Sequence, residues 1–330
     1  RSAQRGQKHA TIQSALQVCR ALLAMKDLVS SSYLLNYGGV LALVAITFVL
    51  LRKWIAGGVC KSRARLDGKT VVVTGANTGI GRETAKEMAR RGARVVMACQ
   101  DLTRAENAAE YIRRSTGNGN VVIRHLNLAS LYSVREFAKE FRATEERLDI
   151  LINNAGVMMC PKRTTEDGFE TQLAVNHLGH FLLTNLLLGM LKRSSTSRVV
   201  NVSSVAHVGG NIDFDDLFFD KRPYSSLGSY KQSKLANVLF SREFARRMKG
   251  VSSYCLHPGV IRTDLNRHVM TWFPLLKTML SLPSFLLMKT PWQGAQTSIY
   301  LIVLKKSQLH KEKMMLWREG CGRRACGWSD

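Results

Sequence analysis

Tyr230 and Lys234 have the residue types and the spacing that point most directly to chemistry. Tyr230 is the only one of the eight tyrosines that is followed by a lysine four residues later. In a helix, positions i and i+4 lie on one face, so the two side chains can reach the same group. An adjacent ammonium favours the phenolate over the phenol, whose pKa is about 10 when it is free. The pair is therefore a candidate general acid and base; the alternative is an ordinary pair on a helix surface.

A glycine-rich turn lies between a β-branched run and a helical pattern, in the segment 74–81 with the sequence TGANTGIG. Glycines allow a tight turn and let backbone N–H groups approach a pyrophosphate, which the start of a helix attracts. Closely spaced glycines also occur in turns that bind nothing, but the strand–turn–helix setting favours dinucleotide binding. The residues expected to contribute are Gly75, Asn77, Thr78, Gly79, Ile80 and Gly81.

Short β-branched runs alternate with longer helical patterns through most of the chain. We predict strands over residues 70–74, 94–98, 121–125, 150–152, 198–202 and 252–256. We predict helices over residues 82–91, 102–114, 133–147, 174–191 and 230–248. This alternation is typical of parallel βαβ units. The expected fold class is therefore α/β, with a Rossmann-type doubly wound parallel sheet in a single domain, preceded by an N-terminal transmembrane helix.

Several motifs occur in one order along the chain and resemble those of the short-chain dehydrogenase/reductase family. They are the turn TGxxxGIG, Asn153–Gly156 (NNAG), Asn176, Ser203-Ser204, Tyr230-x-x-x-Lys234 and Pro258-Gly259. The detail between them, including NHLGHFLLTNLLL at 176–188 and HPGVIRTDL at 257–265, is similar to the retinol dehydrogenase 11 to 14 group. A match of this many motifs over about residues 67–304 is highly specific.

The resemblance implies an enzyme that transfers a hydride between a nicotinamide cofactor and a carbonyl or hydroxyl group. It implies that Tyr230 is the acid/base and that Lys234 also holds the nicotinamide ribose. Ser204 would donate a hydrogen bond to the substrate oxygen, although the sequence alone does not choose between it and Ser203. Asn176 would support a water that links Lys234 to solvent; outside this context it would be a packing or capping residue.

The resemblance also implies which loops flank the cofactor. One loop follows a predicted strand beside the adenosine half, and the other has the PGxxxT spacing that lines the nicotinamide side. A simple turn after the strand is the competing interpretation of the second loop. The residues concerned are Asn154, Ala155 and Gly156 in the first loop, and Pro258, Gly259 and Thr263 in the second.

Cofactor preference depends on the residues after the second predicted strand. An enzyme that uses NAD normally has an acid here, which binds the ribose hydroxyls. This chain has Cys99 instead, followed by Gln100 where relatives that use NADP typically have an arginine. Arg82 and Arg104 are the cations available to compensate, and Asn127 stands where the family usually has an aspartate near adenine. The expected cofactor is NADP(H) in preference to NAD(H).

The N-terminal part of the chain is strongly basic and contains a long apolar run. The net charge is +24, and residues 1–66 hold ten basic side chains against one acid, Asp27. Residues 33–51 carry no charge and approach the length of about 20 that spans a bilayer; a buried core helix is the alternative. Because basic residues follow, the catalytic domain is expected on the cytosolic face of the endoplasmic reticulum membrane or at the mitochondrial inner membrane.

The expected organisation has five parts. They are a basic N-terminal segment at 1–32, a transmembrane anchor at 33–51, a basic linker at 52–66, a catalytic domain at 67–304 and an atypical tail at 305–330. The first segment resembles a mitochondrial presequence in composition, but Met25 leaves open a later natural start. The tail lacks the last strand that the resemblance implies. A protein that binds cofactor but is catalytically impaired is therefore the second hypothesis.

The substrate class is suggested by the stretch 270–292, which is apolar, aromatic and interrupted by proline. In the retinol dehydrogenase group this region forms the substrate lid, which implies a retinoid or another apolar carbonyl compound; core helices or membrane contact are the alternatives. Membrane lipid and a second copy in a homodimer are further expected partners. The seven cysteines contain no C-x-x-C pair, which argues against a metal site. No basic patch is interleaved with aromatic residues, so nucleic acid is not expected.

Overall fold

The computed structural model describes residues 39–54, 56, 58–194, 196–259, 261, 265 and 288–303. The chain divides into two compact units, residues 1–55 and residues 56–330. In the first unit, residues 39–54 form a helix that exposes most of its apolar side chains. No helix in the described parts of the chain is both long and apolar enough to span a membrane. The predicted segments 1–32 and 305–330 lie outside the described residues, as does the start of the predicted anchor at 33–51.

Six parallel strands form one sheet in the second unit. In chain order they are β1 (Thr70–Thr74), β2 (Arg94–Cys99), β3 (Val121–His125), β4 (Ile150–Asn153), β5 (Ser197–Val202) and β6 (Val251–Leu256). Their spatial order is β3-β2-β1-β4-β5-β6, and every neighbouring pair is parallel. All six predicted strands are confirmed, and the prediction of a Rossmann-type doubly wound sheet is confirmed with them.

The direction of the strand order reverses at β1, which pairs with β2 on one side and with β4 on the other. Val71 is aligned with Val95 of β2 and with Ile150 of β4. In open α/β sheets, ligands bind outside the carboxyl ends of the strands at such a reversal. All five residues of β1 are buried, as expected for a strand covered on both faces. A fully buried strand therefore leads directly into the glycine-rich turn.

Helices cover both faces of the sheet, which explains why its strands are continuous apolar runs rather than alternating ones. The helices are α1 (Gly79–Arg90), α2 (Leu102–Thr116), α3 (Leu131–Thr144), α4 (Gly179–Leu186), α5 (Leu188–Arg193), α6 (Ser226–Arg247) and α7 (Pro291–Val303). α1, α2 and α7 form the core on one face with side chains such as Met88 and Ile112. α3, α4 and α6 form the core on the other face with side chains such as Phe141 and Leu183.

The helix that carries the candidate acid/base begins one turn earlier than the sequence predicts. The hydroxyl of Ser225 accepts a hydrogen bond from the Gly228 N–H at 3.0 Å, so α6 begins at Ser226 rather than at Tyr230. A capping side chain of this kind satisfies an N–H group that the first turn otherwise leaves unpaired. Tyr230 therefore lies inside a formed helix, where its backbone conformation is fixed.

The predicted helix over 174–191 is interrupted. A helical turn at Thr171–Leu173 leads into a π turn at Ala174–Leu178, and α4 and α5 follow with a break at Leu187. A π turn widens the helix by one residue and frequently lies at a functional site. This π turn contains Asn176, so the irregularity falls at a predicted site residue.

Gly179 begins α4 and lies against the chain after β3. A Cβ at this position would be 2.6 Å from the Leu128 carbonyl oxygen, which is closer than such atoms approach. We expect Gly179→Ala to lower the free energy of unfolding by about 1–3 kcal/mol, because packed backbone must move. Gly189→Ala in α5 is the control, since its Cβ would meet only the Arg193 guanidinium at 3.7 Å. Urea unfolding of both variants measures the difference, and equal effects would contradict this account.

Candidate active site

The carboxyl ends of three neighbouring strands bring the predicted site residues together. The glycine-rich turn follows β1, the loop Asn154–Gly156 follows β4, and the pair Ser203-Ser204 follows β5. α6 carries Tyr230 and Lys234 to the same edge. The approach is close, because a Cβ on Gly156 would lie 3.5 Å from the Nζ of Lys234. The site therefore lies where the strand order reverses.

Three glycines shape the turn between β1 and α1. Gly75 and Gly79 have φ values of 64° and 55°, in the left-handed region that glycine adopts without strain. A Cβ on Gly81 would lie 2.3 Å from the Gly75 carbonyl oxygen, so no side chain fits there. Thr78 precedes α1 but makes no side-chain capping bond, and the first turn of α1 contains no acid. The N–H groups and the positive end of this helix therefore fit a pyrophosphate.

The hydroxyl of Thr74 ties the glycine-rich turn to the loop after β4. Thr74 Oγ1 accepts hydrogen bonds from the N–H groups of Asn154 at 2.9 Å and Ala155 at 3.0 Å. Asn154 Nδ2 donates in return to the Thr74 carbonyl at 2.9 Å. Gly75 lies directly against Ala155, since a Cβ on Gly75 would be 3.0 Å from the Ala155 Cα. This function of the Thr74 side chain was not predicted from the sequence. The only feature of the sequence that marks Thr74 is its place at the start of the glycine-rich motif.

Tyr230 and Lys234 are each 4% exposed and lie one helical turn apart on α6. The Nζ of Lys234 lies 5.7 Å from the centroid of the Tyr230 ring. It donates a hydrogen bond to the Val202 carbonyl at 3.1 Å. The structure therefore brings the two side chains together in the interior, and the alternative of a pair on the helix surface is wrong.

The two buried groups have shifted pKa values. Burial raises the pKa of Tyr230, and a hydrogen bond with the Ser204 hydroxyl opposes this shift by favouring the phenolate. In the polypeptide by itself, desolvation of the phenolate therefore dominates. The expected lowering of this pKa, which counts on the charge of an oxidised nicotinamide as well as on Lys234, remains a prediction. Burial also lowers the pKa of Lys234 to about 8, so the ammonium remains the main form at neutral pH.

The adjacent serines point to different groups. Ser203 is buried and its Oγ donates to the Lys234 carbonyl at 2.7 Å, so its hydroxyl fixes α6 against β5. Ser204 is partly exposed; its hydroxyl lowers the pKa of Tyr230, and its Oγ accepts the Ala206 N–H at 3.2 Å. Of the two serines that the sequence leaves open, the second is therefore the one beside the phenol.

Asn176 is fully buried and holds three segments of the site together. Its Oδ1 accepts the Val157 N–H at 2.8 Å, which fixes the chain after the Asn154–Gly156 loop. Its Nδ2 donates to Ser233 Oγ at 2.9 Å, and Ser233 is the residue before Lys234. The side chain of Asn176 thus has a clear structural function. Its expected role in holding a water remains a prediction.

β2 ends in a neutral thiol where an NAD enzyme would have an acid. Cys99 is 1% exposed, and burial raises the pKa of its thiol to about 11. Gln100 is exposed, and Asp101 caps α2 by accepting the Arg104 N–H at 2.9 Å. The Asp101 carboxylate is therefore already engaged by its own helix.

The other residues expected near the adenosine half have contacts of their own. The guanidinium of Arg82 lies 5.3 Å from the centroid of the Tyr111 ring and forms an ion pair with Glu83 at 3.2 Å. Asn127 Oδ1 accepts the Ala129 N–H at 3.0 Å, which forms a local turn. Each of these half-buried side chains is thus held by a contact of its own.

The loop after β6 is described only in part. Gly259 has a φ of 88°, and a Cβ at this position would be 3.3 Å from the Lys289 side chain. Pro258 is buried directly before it. Thr263 and most of the stretch 270–292 lie outside the described residues. Their expected contributions to the nicotinamide side and to the substrate lid remain predictions.

Glu170 is a buried carboxylate that the sequence analysis missed. It is 2% exposed and accepts hydrogen bonds from the N–H groups of Gln172 at 2.9 Å and Leu173 at 2.8 Å. The hydroxyl of Ser229, the residue before Tyr230, donates to it at 2.6 Å. Glu170 therefore anchors the start of α6 to the helical turn that leads to the π turn. A single acid in a loop has no local pattern that would reveal such a function.

The sequence of residues 69–273 matches the short chain dehydrogenase family. The chain therefore belongs to this family and is an NAD(P)-dependent oxidoreductase. It is 54% identical over 279 residues to retinol dehydrogenase 13 of Homo sapiens, and the match covers 84% of each chain. It is 56% identical over 253 residues to retinol dehydrogenase 12 of Bos taurus, and the match covers 76% of this chain and 78% of the relative.

Solved structures show the same fold. An uncharacterized protein from Mycobacterium Paratuberculosis has 41% sequence identity and a TM-score of 0.59, and the match covers 73% of this chain and 79% of that one. The RhlG/NADP active-site complex of Pseudomonas aeruginosa has 25% identity and a TM-score of 0.58, with 73% and 91% of the chains covered.

Lys234→Met tests the burial of the ammonium, because methionine fills a similar volume without a charge. The folded-state pKa of about 8 lies below the usual 10.5, so the unfolded chain binds more protons between these values. The wild type should therefore gain stability relative to the variant as the pH rises from about 8 to about 10.5, with little change between about pH 6 and 7. Urea unfolding across this pH range measures the difference, and a difference independent of pH would argue against a lowered pKa.

Proposed function

We propose that this protein is an NADP(H)-dependent oxidoreductase that interconverts retinal and retinol, or related apolar aldehydes and alcohols, by hydride transfer. The observation that carries the proposal is the grouping of Tyr230, Lys234, Ser204 and Asn176 beside the glycine-rich turn. The similarity to retinol dehydrogenases over more than three quarters of the chain supports a retinoid as the substrate class.

Each grouped side chain has a distinct task in this proposal. Tyr230 protonates the carbonyl oxygen during reduction and takes up the hydroxyl proton during oxidation. Ser204 donates a hydrogen bond to the same oxygen, where negative charge develops. The Lys234 ammonium stabilises the phenolate, which burial alone disfavours. Asn176 holds α6 in position through its bond to Ser233. When bound, the nicotinamide supplies or accepts the hydride.

The cofactor would lie along the carboxyl edge of the sheet. The uncapped start of α1 fits the pyrophosphate, and the missing side chain at Gly156 leaves space beside the Lys234 ammonium for a ribose. The further residues proposed to hold the cofactor are Gly75, Asn77, Thr78, Gly79, Ile80, Gly81, Gln100, Asn127, Asn154, Ala155, Pro258, Gly259 and Thr263.

Electrostatics at the end of β2 support NADP(H) over NAD(H). Cys99 is a neutral thiol, and Asp101 is engaged as a helix cap, so the anion that favours NAD and repels a 2′-phosphate is missing from this position. Arg82 and Arg104 are the nearby cations proposed to attract the 2′-phosphate. The RhlG relative is an NADP complex, which supports the same preference.

We further propose that the enzyme acts at a membrane. The helix at 39–54 exposes apolar side chains such as Leu41 and Leu43, at 69% and 66%, and a basic linker follows at 52–66. An apolar helix beside basic residues favours a membrane with anionic lipid. The cytosolic face of the endoplasmic reticulum and the mitochondrial inner membrane both fit this charge distribution. The homodimer remains a prediction.

The alternative is a membrane protein that binds the cofactor but is catalytically impaired because of its divergent tail. The grouping of all four candidate catalytic side chains favours the active enzyme. The two are separated by assaying NADPH oxidation with all-trans-retinal on the full chain in detergent micelles. A folded protein that binds NADPH without turnover would support the alternative.

Tyr230→Phe removes the proposed acid/base and leaves the ring in place. We expect turnover of all-trans-retinal to fall at least about a hundredfold, since a positioned acid contributes about 10²–10⁴-fold, while NADPH binding stays within about threefold. Tyr132→Phe is the control, because Tyr132 is 71% exposed. Single-turnover absorbance measures hydride transfer, and unimpaired transfer in Tyr230→Phe would refute this role.

The cofactor preference is tested by titrating the full chain with NADPH and NADH. We expect NADPH to bind at least about tenfold more tightly, and Arg82→Gln with Arg104→Gln to weaken NADPH by about tenfold without affecting NADH. Arg114→Gln at the far end of α2 is the control, because that side chain is 78% exposed. Equal affinities in the wild type would overturn the preference for NADP(H).

A further inference from the structure

His180 is a buried histidine that lies between the two halves of the site. It belongs to α4, directly after the π turn, and is 3% exposed. Its Nε2 lies 2.9 Å from Thr74 Oγ1, the hydroxyl that ties the glycine-rich turn to the loop after β4. Its Nδ1 lies 3.2 Å from the carbonyl oxygen of Asn176 in the π turn. One ring therefore contacts both the cofactor half and the acid/base half of the site.

The positions of the hydrogens follow from counting donors and acceptors. The Asn176 carbonyl only accepts, so Nδ1 must carry the proton that it shares with this oxygen. In a neutral ring Nε2 is then an acceptor, and the hydrogen of the Thr74 hydroxyl must point to it. The two lone pairs of Thr74 Oγ1 remain for the N–H groups of Asn154 and Ala155. The other possible acceptor of that hydrogen, the Ile152 carbonyl, lies farther away at 3.4 Å.

The opposite tautomer fails the same count. With the proton on Nε2, Thr74 Oγ1 would face three N–H donors with two lone pairs. The bare Nδ1 would also face the lone pairs of the Asn176 carbonyl at 3.2 Å. Only the Nδ1–H form satisfies every group.

The ring is held neutral by its surroundings. Burial lowers the pKa of His180 to about 3, and the positive charges of Lys234 and His177 act in the same direction. The Asn176 carbonyl acts against them by accepting the Nδ1 proton. The arrangement of hydrogens around the ring therefore stays the same over the physiological pH range.

We propose that His180 is a positioning residue that, as its neutral Nδ1–H tautomer, orients the Thr74 hydroxyl with one ring nitrogen and the Asn176 carbonyl with the other. Nε2 accepts the hydrogen of the Thr74 hydroxyl, so both lone pairs of Thr74 Oγ1 point to the N–H groups of the loop that packs on the glycine-rich turn. Nδ1 fixes the π turn, and with it the Asn176 side chain that holds Ser233 on α6. The two nitrogens thus serve two different functions, cofactor binding and turnover.

Two substitutions separate these functions. His180→Asn places an amide N–H near the position of Nδ1 and removes the acceptor for Thr74. His180→Gln places an amide oxygen near the position of Nε2 and removes the ring donor to the Asn176 carbonyl, which keeps its hydrogen bond from Asn237 Nδ2 at 3.0 Å. We expect the Asn variant to bind NADPH roughly tenfold more weakly with kcat nearly unchanged, and the Gln variant to keep NADPH affinity and lose roughly tenfold in kcat. Thr74→Val should weaken NADPH binding as much as His180→Asn does, and combining the two substitutions should cause no further loss. Thr74→Ser should retain wild-type NADPH binding.

The tautomer is read directly from the wild type by ¹⁵N NMR of the histidine ring. A protonated Nδ1 and an unprotonated Nε2 that do not titrate between about pH 5 and 8 support the proposal. A proton on Nε2, or titration near the usual pKa, overturns it. Equal losses of NADPH affinity and kcat in both His180 variants would also overturn it, because they indicate a merely structural residue. Only the kcat measurement rests on the proposed function, so absence of retinal turnover in the wild type leaves the NMR and binding tests intact.

Discussion

The ammonium of Lys234 is almost completely removed from water, between the Val202 carbonyl and the ring of Tyr230. Burial of a charge is unfavourable unless the site provides groups that satisfy it. Among the residues that the structure describes, no carboxylate acts on the pKa of Lys234, and desolvation lowers that pKa to about 8. The ammonium consequently remains the main form at neutral pH and loses its proton at a lower pH than a solvated lysine does. The same burial raises the pKa of the Tyr230 phenol, so the pKa values of the two groups move apart.

The surroundings of this pair are strongly hydrogen-bonded. Asn176 joins the chain after β4 to α6, Ser203 joins α6 to β5, and Thr74 joins β1 to β4. Each bond connects segments that are distant in sequence, so the geometry of the acid/base pair depends on the whole carboxyl edge of the sheet. The buried carboxylate of Glu170 is accommodated because two backbone N–H groups and a hydroxyl donate hydrogen bonds to it. The hydroxyl is that of Ser229, the residue before Tyr230. Such fully satisfied networks make a site rigid.

The pattern of helix caps has a functional consequence. Asp101, Ser130 and Ser225 occupy the first N–H groups of α2, α3 and α6. At α1 the residue before the helix, Thr78, leaves those groups without a side-chain partner. An uncapped start is unfavourable for the helix alone, and an anionic phosphate compensates for it. The fold thus stabilises the helices that position the site and leaves available the helix start that is proposed to receive the cofactor.

Much of this protein is determined locally. Hydrophobic period and backbone freedom are properties of neighbouring residues, so local patterns predict the parallel sheet, the glycine-rich turn and the candidate acid/base pair. These patterns are the β-branched runs, the glycines at 75, 79 and 81, and the spacing of Tyr230 and Lys234. Tertiary structure alone decided which of Ser203 and Ser204 meets the phenol, where the helix around Asn176 widens, and what Glu170 and His180 contact. Tertiary structure also decided that burial raises the pKa of Tyr230 in the polypeptide by itself. These properties depend on desolvation and on hydrogen bonds between segments brought together by folding, and no sequence pattern records the distance between such segments.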